Sequence, residues 1–310
     1  VELMNVTEFL LLGFSSHPRL QTVLFAAGLL IYLLTMLGNL MIIALVRMDR
    51  CLHTPMYFLL GNLSFTEICY ISSTMPKMLW NLLSGDKAIS FTGCLLQMYF
   101  FVALGGTECV LLSAMAYDRY AAICHPLRYI LLMRRRVCAW LLGASWVIGH
   151  LNSIINTSMV FSLSFCGTVE IHHFFCDIPP LLRLSCSDTS LSQLVTFSVS
   201  GCVIILPFCL TLLSYLIILS SILKIRTARG KLKAFSTCSS HLAMVSIFYG
   251  TVIFTYMRPV ASHSPEQDPL VSVLYGIVTP MLNPFIYSFR NKEVQGALQR
   301  ALGRSREQNG

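Results

Sequence analysis

Apolar residues along the chain gather into long unbroken runs, separated by short stretches rich in Pro, Ser, Gly and charge. A helix needs about 20 mostly apolar residues to cross the hydrocarbon of a bilayer. Seven runs meet that length: Thr22–Val46, Met56–Leu83, Cys94–Tyr117, Cys138–Leu163, Leu191–Leu223, Phe235–Met257 and Leu270–Phe289. The second, third and fifth are longer than needed and leave room for tilt. The runs do not alternate with period two, which disfavours a β-barrel. The pattern therefore predicts an all-α membrane protein, a seven-helix bundle over 22–290, with an N-terminal segment 1–21 and a tail 291–310. In the tail, Val294, Ala297, Leu298 and Leu302 recur at helical spacing among basic residues. That predicts a short amphipathic helix lying on the membrane face. No internal repeat is visible, so an inverted-repeat transporter gains no support.

Composition agrees. Apolar residues make up 55% of the 310 and charged residues 12%, with a mean hydropathy of +0.69. A soluble domain carries about 25% charged residues. Disordered chains are polar and charged, so disorder is excluded too. The net charge of +8 might suggest nucleic acid, but its distribution points to topology instead. The segments after runs one, three, five and seven hold 17 of the 22 basic residues and 4 of the 14 acidic ones. Basic residues mark the cytoplasmic side, so the N-terminus is expected outside and the C-terminus inside, with lipid as the surrounding partner. Phe9–Leu12 is too short for a signal-peptide core, and the first run is expected to serve as the insertion signal. Asn5-Val6-Thr7 is a glycosylation sequon on the expected outer side. The tail holds no cysteine for a palmitoyl anchor.

Of 12 cysteines, Cys94, Cys166, Cys176 and Cys186 fall on the expected outer side, where disulfides form. Four cysteines allow three pairings, which arithmetic alone does not rank. A rival reading is a metal site, because His172 and His173 precede Cys176 at ligand spacing, but a disulfide-bonded Cys176 would be lost as a thiolate. No phosphate loop, nucleophile elbow or zinc-protease motif occurs, so no enzyme is expected.

Four motifs narrow the class. Met115-Ala116-Tyr117-Asp118-Arg119-Tyr120 ends the third run and continues through Ile123-Cys124-His125-Pro126. Leu52-His53-Thr54-Pro55-Met56-Tyr57 opens the second run, and Lys233-Ala234-Phe235-Ser236-Thr237-Cys238 with His241 opens the sixth. Pro280-Met281-Leu282-Asn283-Pro284-Phe285-Ile286-Tyr287 closes the seventh. With these motifs in order, the chain resembles a class II (tetrapod-type) olfactory receptor of the rhodopsin-like G-protein-coupled family over nearly its whole length. It departs from the family at Glu67, where an aspartate is usual, and at Leu60-Gly61-Asn62.

The resemblance implies disulfides Cys94–Cys176 and Cys166–Cys186. It implies activation-switch roles for Asp118, Arg119, Tyr120, Tyr215, His241, Tyr249, Asn283, Pro284 and Tyr287, with Arg119 held by Asp118 at rest. Proline removes a backbone donor, so Asn283-Pro284 supplies a bend that can act as a bistable element, and Pro207 has the same double reading. Glu67 and Glu108 are acids inside spans and would lie near the family's mid-membrane sodium pocket. Two close carboxylates need a shared proton or a cation such as sodium; no other cofactor is expected. The partners implied are a small volatile odorant and a stimulatory olfactory-type G protein at the plasma membrane, with a rise in cyclic AMP.

Ligand sites in bundles lie between helices and are mostly apolar. The expected wall is Met98, Phe101, Val102, Gly105, Gly106, Val199, Ser200, Val203, Val252, Thr255, Tyr256, Ser272, Val273 and Gly276, with Asn156 entering from the fourth run. Gly105-Gly106 either leaves room for a ligand or serves close helix packing. No acid stands on this wall of the third run, so a neutral ligand is expected, with Thr255 and Tyr256 as its hydrogen-bonding partners. Two alternatives stay open: a chemoreceptor of the same family with a non-olfactory role, and a small transporter or proton carrier built on Glu67 and Glu108.

Overall fold

A computed structural model of the protein describes residues 6–13, 18–166, 169–225, 227–258 and 268–308. The sequon residue Asn5 lies outside the described residues. Seven long helices follow the seven apolar runs: α1 (Pro18–Met48), α2 (Pro55–Ser84), α3 (Phe91–Cys124), α4 (Arg135–Phe161), α5 (Ser190–Lys224), α6 (Ala228–Tyr256) and α7. α7 is composite: Asp268–Val273, a π-helical turn Leu274–Val278, then Thr279–Arg290. A tail helix α8 (Lys292–Gln308) follows. Among the described residues α1, α3, α4 and α5 are long and apolar enough to cross a membrane. α2 is more polar, and α6 and α7 hold shorter apolar stretches.

The ends of the helices follow local chemistry. α2 opens with Pro55, whose missing N–H costs nothing in a first turn. It ends at Gly85, whose φ of +73° is the left-handed cap that glycine adopts without a Cβ penalty. The Ser90 hydroxyl accepts the Gly93 N–H and caps α3. The outward faces stay greasy: Leu30, Leu37, Leu206 and Leu213 are exposed on α1 and α5. Such a surface suits lipid rather than water.

α3 runs through the middle and touches α2, α4, α5 and α6. Its tightest contact is with α4. A Cβ on Gly106 would lie 3.1 Å from the Gly149 Cα, and one on Gly149 would strike Thr107 and the Ala103 carbonyl. Gly106 therefore lets two backbones approach, which decides half of the Gly105-Gly106 alternative in favour of packing. Gly105 differs, since a Cβ there meets only Tyr70, at 3.6 Å.

The all-α expectation needs one addition. The short apolar run near the N-terminus forms β1 (Glu8–Leu11), antiparallel to β2 (Ala88–Ser90) and parallel to β3 (Glu170–Ile171). Strand side chains alternate, so Phe9 and Leu11 turn inward and are fully buried. The outer loops are thus stitched to the N-terminal segment.

Candidate functional site

The outer half of the bundle is closed by the loop after α4. Cys94 at the top of α3 is bonded to Cys176, with Cα atoms 5.5 Å apart, and Cys166 is bonded to Cys186 at 5.8 Å. Both pairings are those the resemblance implies. Cys176 is thereby spent, which removes it as a thiolate ligand. Gln97 reinforces the tether: its carbonyl accepts the Cys176 N–H at 2.9 Å, and its amide donates to the Ser73 carbonyl on α2 at 3.1 Å.

Beneath this lid lies a cavity of about 50 Å³ between α2, α3, α4, α5, α6 and α7. Eight expected wall residues line it: Phe101, Val102, Gly105, Gly106, Ser200, Val203, Val252 and Tyr256. Seven do not. Asn156 is engaged with Asn152 and Ser200, Ser272 with His173 and Tyr275, and Thr255 with the Thr251 carbonyl. Met98, Val199, Val273 and Gly276 stand beside the cavity rather than on its wall. Tyr70, Cys109, Asn152, Ile178, Ile204, Phe248 and Tyr275 complete the lining, outside the expected wall. Cys109 shares the i, i+4, i+8 face of Phe101 and Gly105, a signal that was present in the spacing. Tyr275 is carried inward by the π turn, and Ile178 arrives from the loop.

The larger addition concerns charge. Residue 177 follows the bonded cysteine, so the disulfide carries Asp177 over the cavity, where it is buried. Tyr256 donates to both Asp177 oxygens at 3.0 Å, and Tyr275 donates to Oδ2 at 3.0 Å. Asp177 also accepts the Ile178 N–H at 2.8 Å, at the start of a short loop helix, Ile178–Leu184. Behind Tyr275 the chain continues to Ser272 at 3.0 Å and His173 at 2.9 Å. His173 Nδ1 accepts the Phe175 N–H, so Nε2 carries the proton and donates to Ser272. The wall of α3 holds no acid, as expected, but the lid supplies one. Tyr256, expected with Thr255 to hydrogen-bond the ligand, bonds that acid in this structure.

Mid-bundle, Glu67 and Glu108 are fully buried. Both Glu67 oxygens, Glu108 Oε1, Asn39 Oδ1 and both polar atoms of the Asn283 side chain make no hydrogen bond among the described residues. The buried carboxylate oxygens of Glu67 and Glu108, which have no donor against them among the described residues, fit a cation or protons, since bare buried polar atoms are costly. The Asn39 amide donates to the Pro280 carbonyl at 3.3 Å, bridging α1 to α7. Gly38 lets Pro284 approach; a Cβ there would lie 2.8 Å from the ring.

At the inner end, Asp118 accepts the Tyr129 hydroxyl at 2.8 Å. The expected clasp of Asp118 on Arg119 does not form: successive helical residues point about 100° apart, and the loop tyrosine reaches the acid first. Burial, then the Asp118 charge, holds the Tyr129 phenol above its usual range. Tyr215 and His241 Nδ1 join α5 to α6 at 2.6 Å, Tyr120 meets His125 at 2.9 Å, and Tyr249 donates to the Cys109 carbonyl at 2.7 Å. The Tyr287 side chain lies outside the described residues. α8 docks through buried Val294 and Ala297. Tyr57 donates to Asn291 at 3.0 Å and Glu293 at 2.7 Å, and Arg300 pairs with Asp49 at 2.7 Å.

An outer lidded cavity, a polar mid-section and a hydrogen-bonded inner end around Asp118-Arg119 define a seven-helix membrane receptor. The comparisons specify which. The olfactory receptor family model matches residues 29–305. The chain is 54% identical to mouse olfactory receptor 5AP2 over 96% of its length and 94% of the relative's. It is 55% identical to human olfactory receptor 10C1 (96% and 95%), and 50% identical to human olfactory receptor 1F1 (97% and 96%). The chain belongs to the olfactory receptor family. It is a multi-pass plasma-membrane odorant receptor that signals through a G protein and is not an enzyme.

Proposed function

We propose that this receptor binds a small, largely apolar odorant between the outer halves of its helices, with the N-terminus extracellular, and activates a stimulatory G protein so that cyclic AMP rises. The observation that carries this reading is the cavity beneath the tethered loop. Its walls are mostly apolar side chains with Gly105 and Gly106, its polar groups are Asn152, Ser200, Tyr70, Tyr256 and Tyr275, and Asp177 holds the last two from the loop. A space of about 50 Å³ has room for a few waters rather than for a whole odorant. An odorant therefore has to displace side chains, and the Tyr256 and Tyr275 rings are the movable polar ones. Displacing them alters α6 and α7, the helices that also carry His241 and the Asn283-Pro284 bend. Ligand binding shifts the receptor only by its differential affinity for the two arrangements.

In this reading Glu67 and Glu108, with Asn39 and Asn283, hold sodium or a shared proton and favour the inactive state. The cation would supply the positive charge that the unpartnered carboxylate oxygens call for. Arg119, beside the Asp118–Tyr129 bond, faces the G protein. Screening odorants against a cyclic AMP reporter tests the reading. A Gly105→Leu receptor that reaches the surface should lose its responses, because the new side chain fills the cavity. Agonism undiminished in that variant would refute the cavity as the binding site. A tag at the N-terminus, or glycan at Asn5, detected outside intact cells tests the orientation separately.

A further inference from the structure

A second cavity lies at the other end of the bundle, and none of the roles above uses it. Its volume is about 910 Å³, bounded by the end of α1, the start of α2, the loop helix Tyr129–Leu132 and the start of α4. Its lining combines Arg47, His53, Arg134 and Arg135 with Phe58 and Ile130, and includes no acidic residue. The three arginines are solvent-exposed, and none pairs with an acid among the described residues. The nearest acid by sequence, Asp49, is taken by Arg300. Phe58 and Ile130 present bare apolar surface, 41% and 82% exposed. Leu40 on α1 and Trp140 on α4, the helices of two of these walls, are also exposed. Trp140 stands five residues along α4 from Arg135, roughly 8 Å deeper at the helical rise. An exposed tryptophan at that depth suits the membrane interface. This places the cleft at headgroup level, on the flank of α1, α2 and α4 rather than beside α5 and α6.

We propose that this cleft is a binding site for one anionic phospholipid of the inner leaflet. The headgroup phosphates would meet Arg47, Arg134 and Arg135, and an acyl chain would lie on Phe58 and Ile130. Arginine suits phosphate because its planar fork donates two parallel hydrogen bonds. Basic pockets between helices on the cytoplasmic side have the chemistry that selects polyanionic headgroups over zwitterionic ones. The volume accommodates a phosphorylated inositol ring and the first part of the acyl chains. Assignment to the inner leaflet rests on the orientation proposed above; the binding itself does not.

Native mass spectrometry of the purified full-length receptor, titrated with phosphatidylinositol bisphosphate, phosphatidylcholine or soluble inositol trisphosphate, tests the site. One tightly retained bisphosphate lipid is expected, with little phosphatidylcholine and weak binding of the soluble headgroup. The Arg134→Gln/Arg135→Gln receptor should bind about thirtyfold more weakly, as expected for losing two basic contacts to an anionic headgroup. Arg134→Lys/Arg135→Lys, which keeps the charge but not the fork, should bind between the parent and the double Gln variant, and that partial rescue shows the site tolerates substitution without unfolding. Arg47→Gln, which leaves α4 untouched, should also weaken binding. Lys224→Gln/Lys231→Gln removes equal charge elsewhere and should change nothing. Retention by the double Gln variant equal to that of the parent, an equal loss in the lysine pair, or soluble headgroup binding as tight as the lipid would overturn the proposal. Detergent-solubilised receptor has no cellular orientation, so a failed tag experiment and a failed lipid experiment are separate results.

Discussion

The Tyr256 hydroxyl stands 3.0 Å from both oxygens of Asp177, joining the inner wall of α6 to the loop that roofs the cavity. One tyrosine thereby links α6 to the loop that, in the proposed reading, covers the bound ligand. Tyr256→Phe removes the donor while keeping the ring. A hydrogen bond to a charged group is worth about 1.5–3 kcal/mol, so potency across the receptor's agonists should shift by roughly tenfold or more. Dose–response curves at matched surface expression provide the measurement. Superimposable curves for parent and variant would show that the pair does not bear on binding.

Two glycines of α4 should behave oppositely. A Cβ on Gly149 would collide with Thr107 and the Ala103 carbonyl and lie 2.6 Å from the Thr107 nitrogen. Backbone atoms cannot step aside, so Gly149→Ala should cost about 1–3 kcal/mol or more and lower the melting temperature and the surface yield. Gly143 has nothing within 4 Å of a new Cβ. Gly143→Ala should be neutral or stabilising by up to about 1 kcal/mol, because alanine is the better helix former. Thermal melts of the two purified variants decide the point.

The buried acids make an ionic prediction. With sodium or a proton held by Glu67 and Glu108 in the inactive state, raising sodium should reduce agonist potency in the parent. Glu108→Gln removes one charge and should flatten that dependence. Membrane G-protein activation assays in sodium and in choline salts supply the comparison. No sodium or pH dependence in either receptor would eliminate the ion site.

The tail helix should respond to acid. The Cys51 N–H bond, followed by that of Arg300, holds the Asp49 carboxyl below its usual range. A carboxyl depressed in the folded state stabilises above its unfolded pKa and loses that effect as pH falls through the folded value. The contact of α8 with the turn after α1 should therefore be constant from neutral pH into mild acid. It should weaken only below the ordinary carboxylate range. Arg300→Gln should loosen α8 at every pH. Hydrogen exchange over 292–308 reads both effects, and exchange that accelerates already near pH 6 in the parent would contradict the assignment.

The seven spans, the tail helix and the four end-of-helix motifs were legible in the chain because each is a local property. A long apolar run must satisfy its own backbone in lipid, and a helix is the way it does so. Part of the cavity wall was legible for the same reason: Phe101 and Gly105 follow from helical spacing. Asp177 was not, although its neighbour Cys176 was singled out. Nothing in the residues around it distinguishes an exposed loop carboxylate from a buried one.

The sequence by itself determined which segments enter the membrane and which motifs close their ends, since hydropathy and helical period act over neighbouring residues. Only the tertiary structure decided that Asp177 roofs the cavity, that Gly106 serves packing while Gly105 leaves space, that Asp118 bonds Tyr129 rather than Arg119, and that the N-terminal segment pairs as a strand. The reason is physical: these outcomes depend on which side chains arrive from distant parts of the chain. That is fixed by a disulfide spanning 82 residues, by the crossing of α3 with α4 and by the π turn in α7.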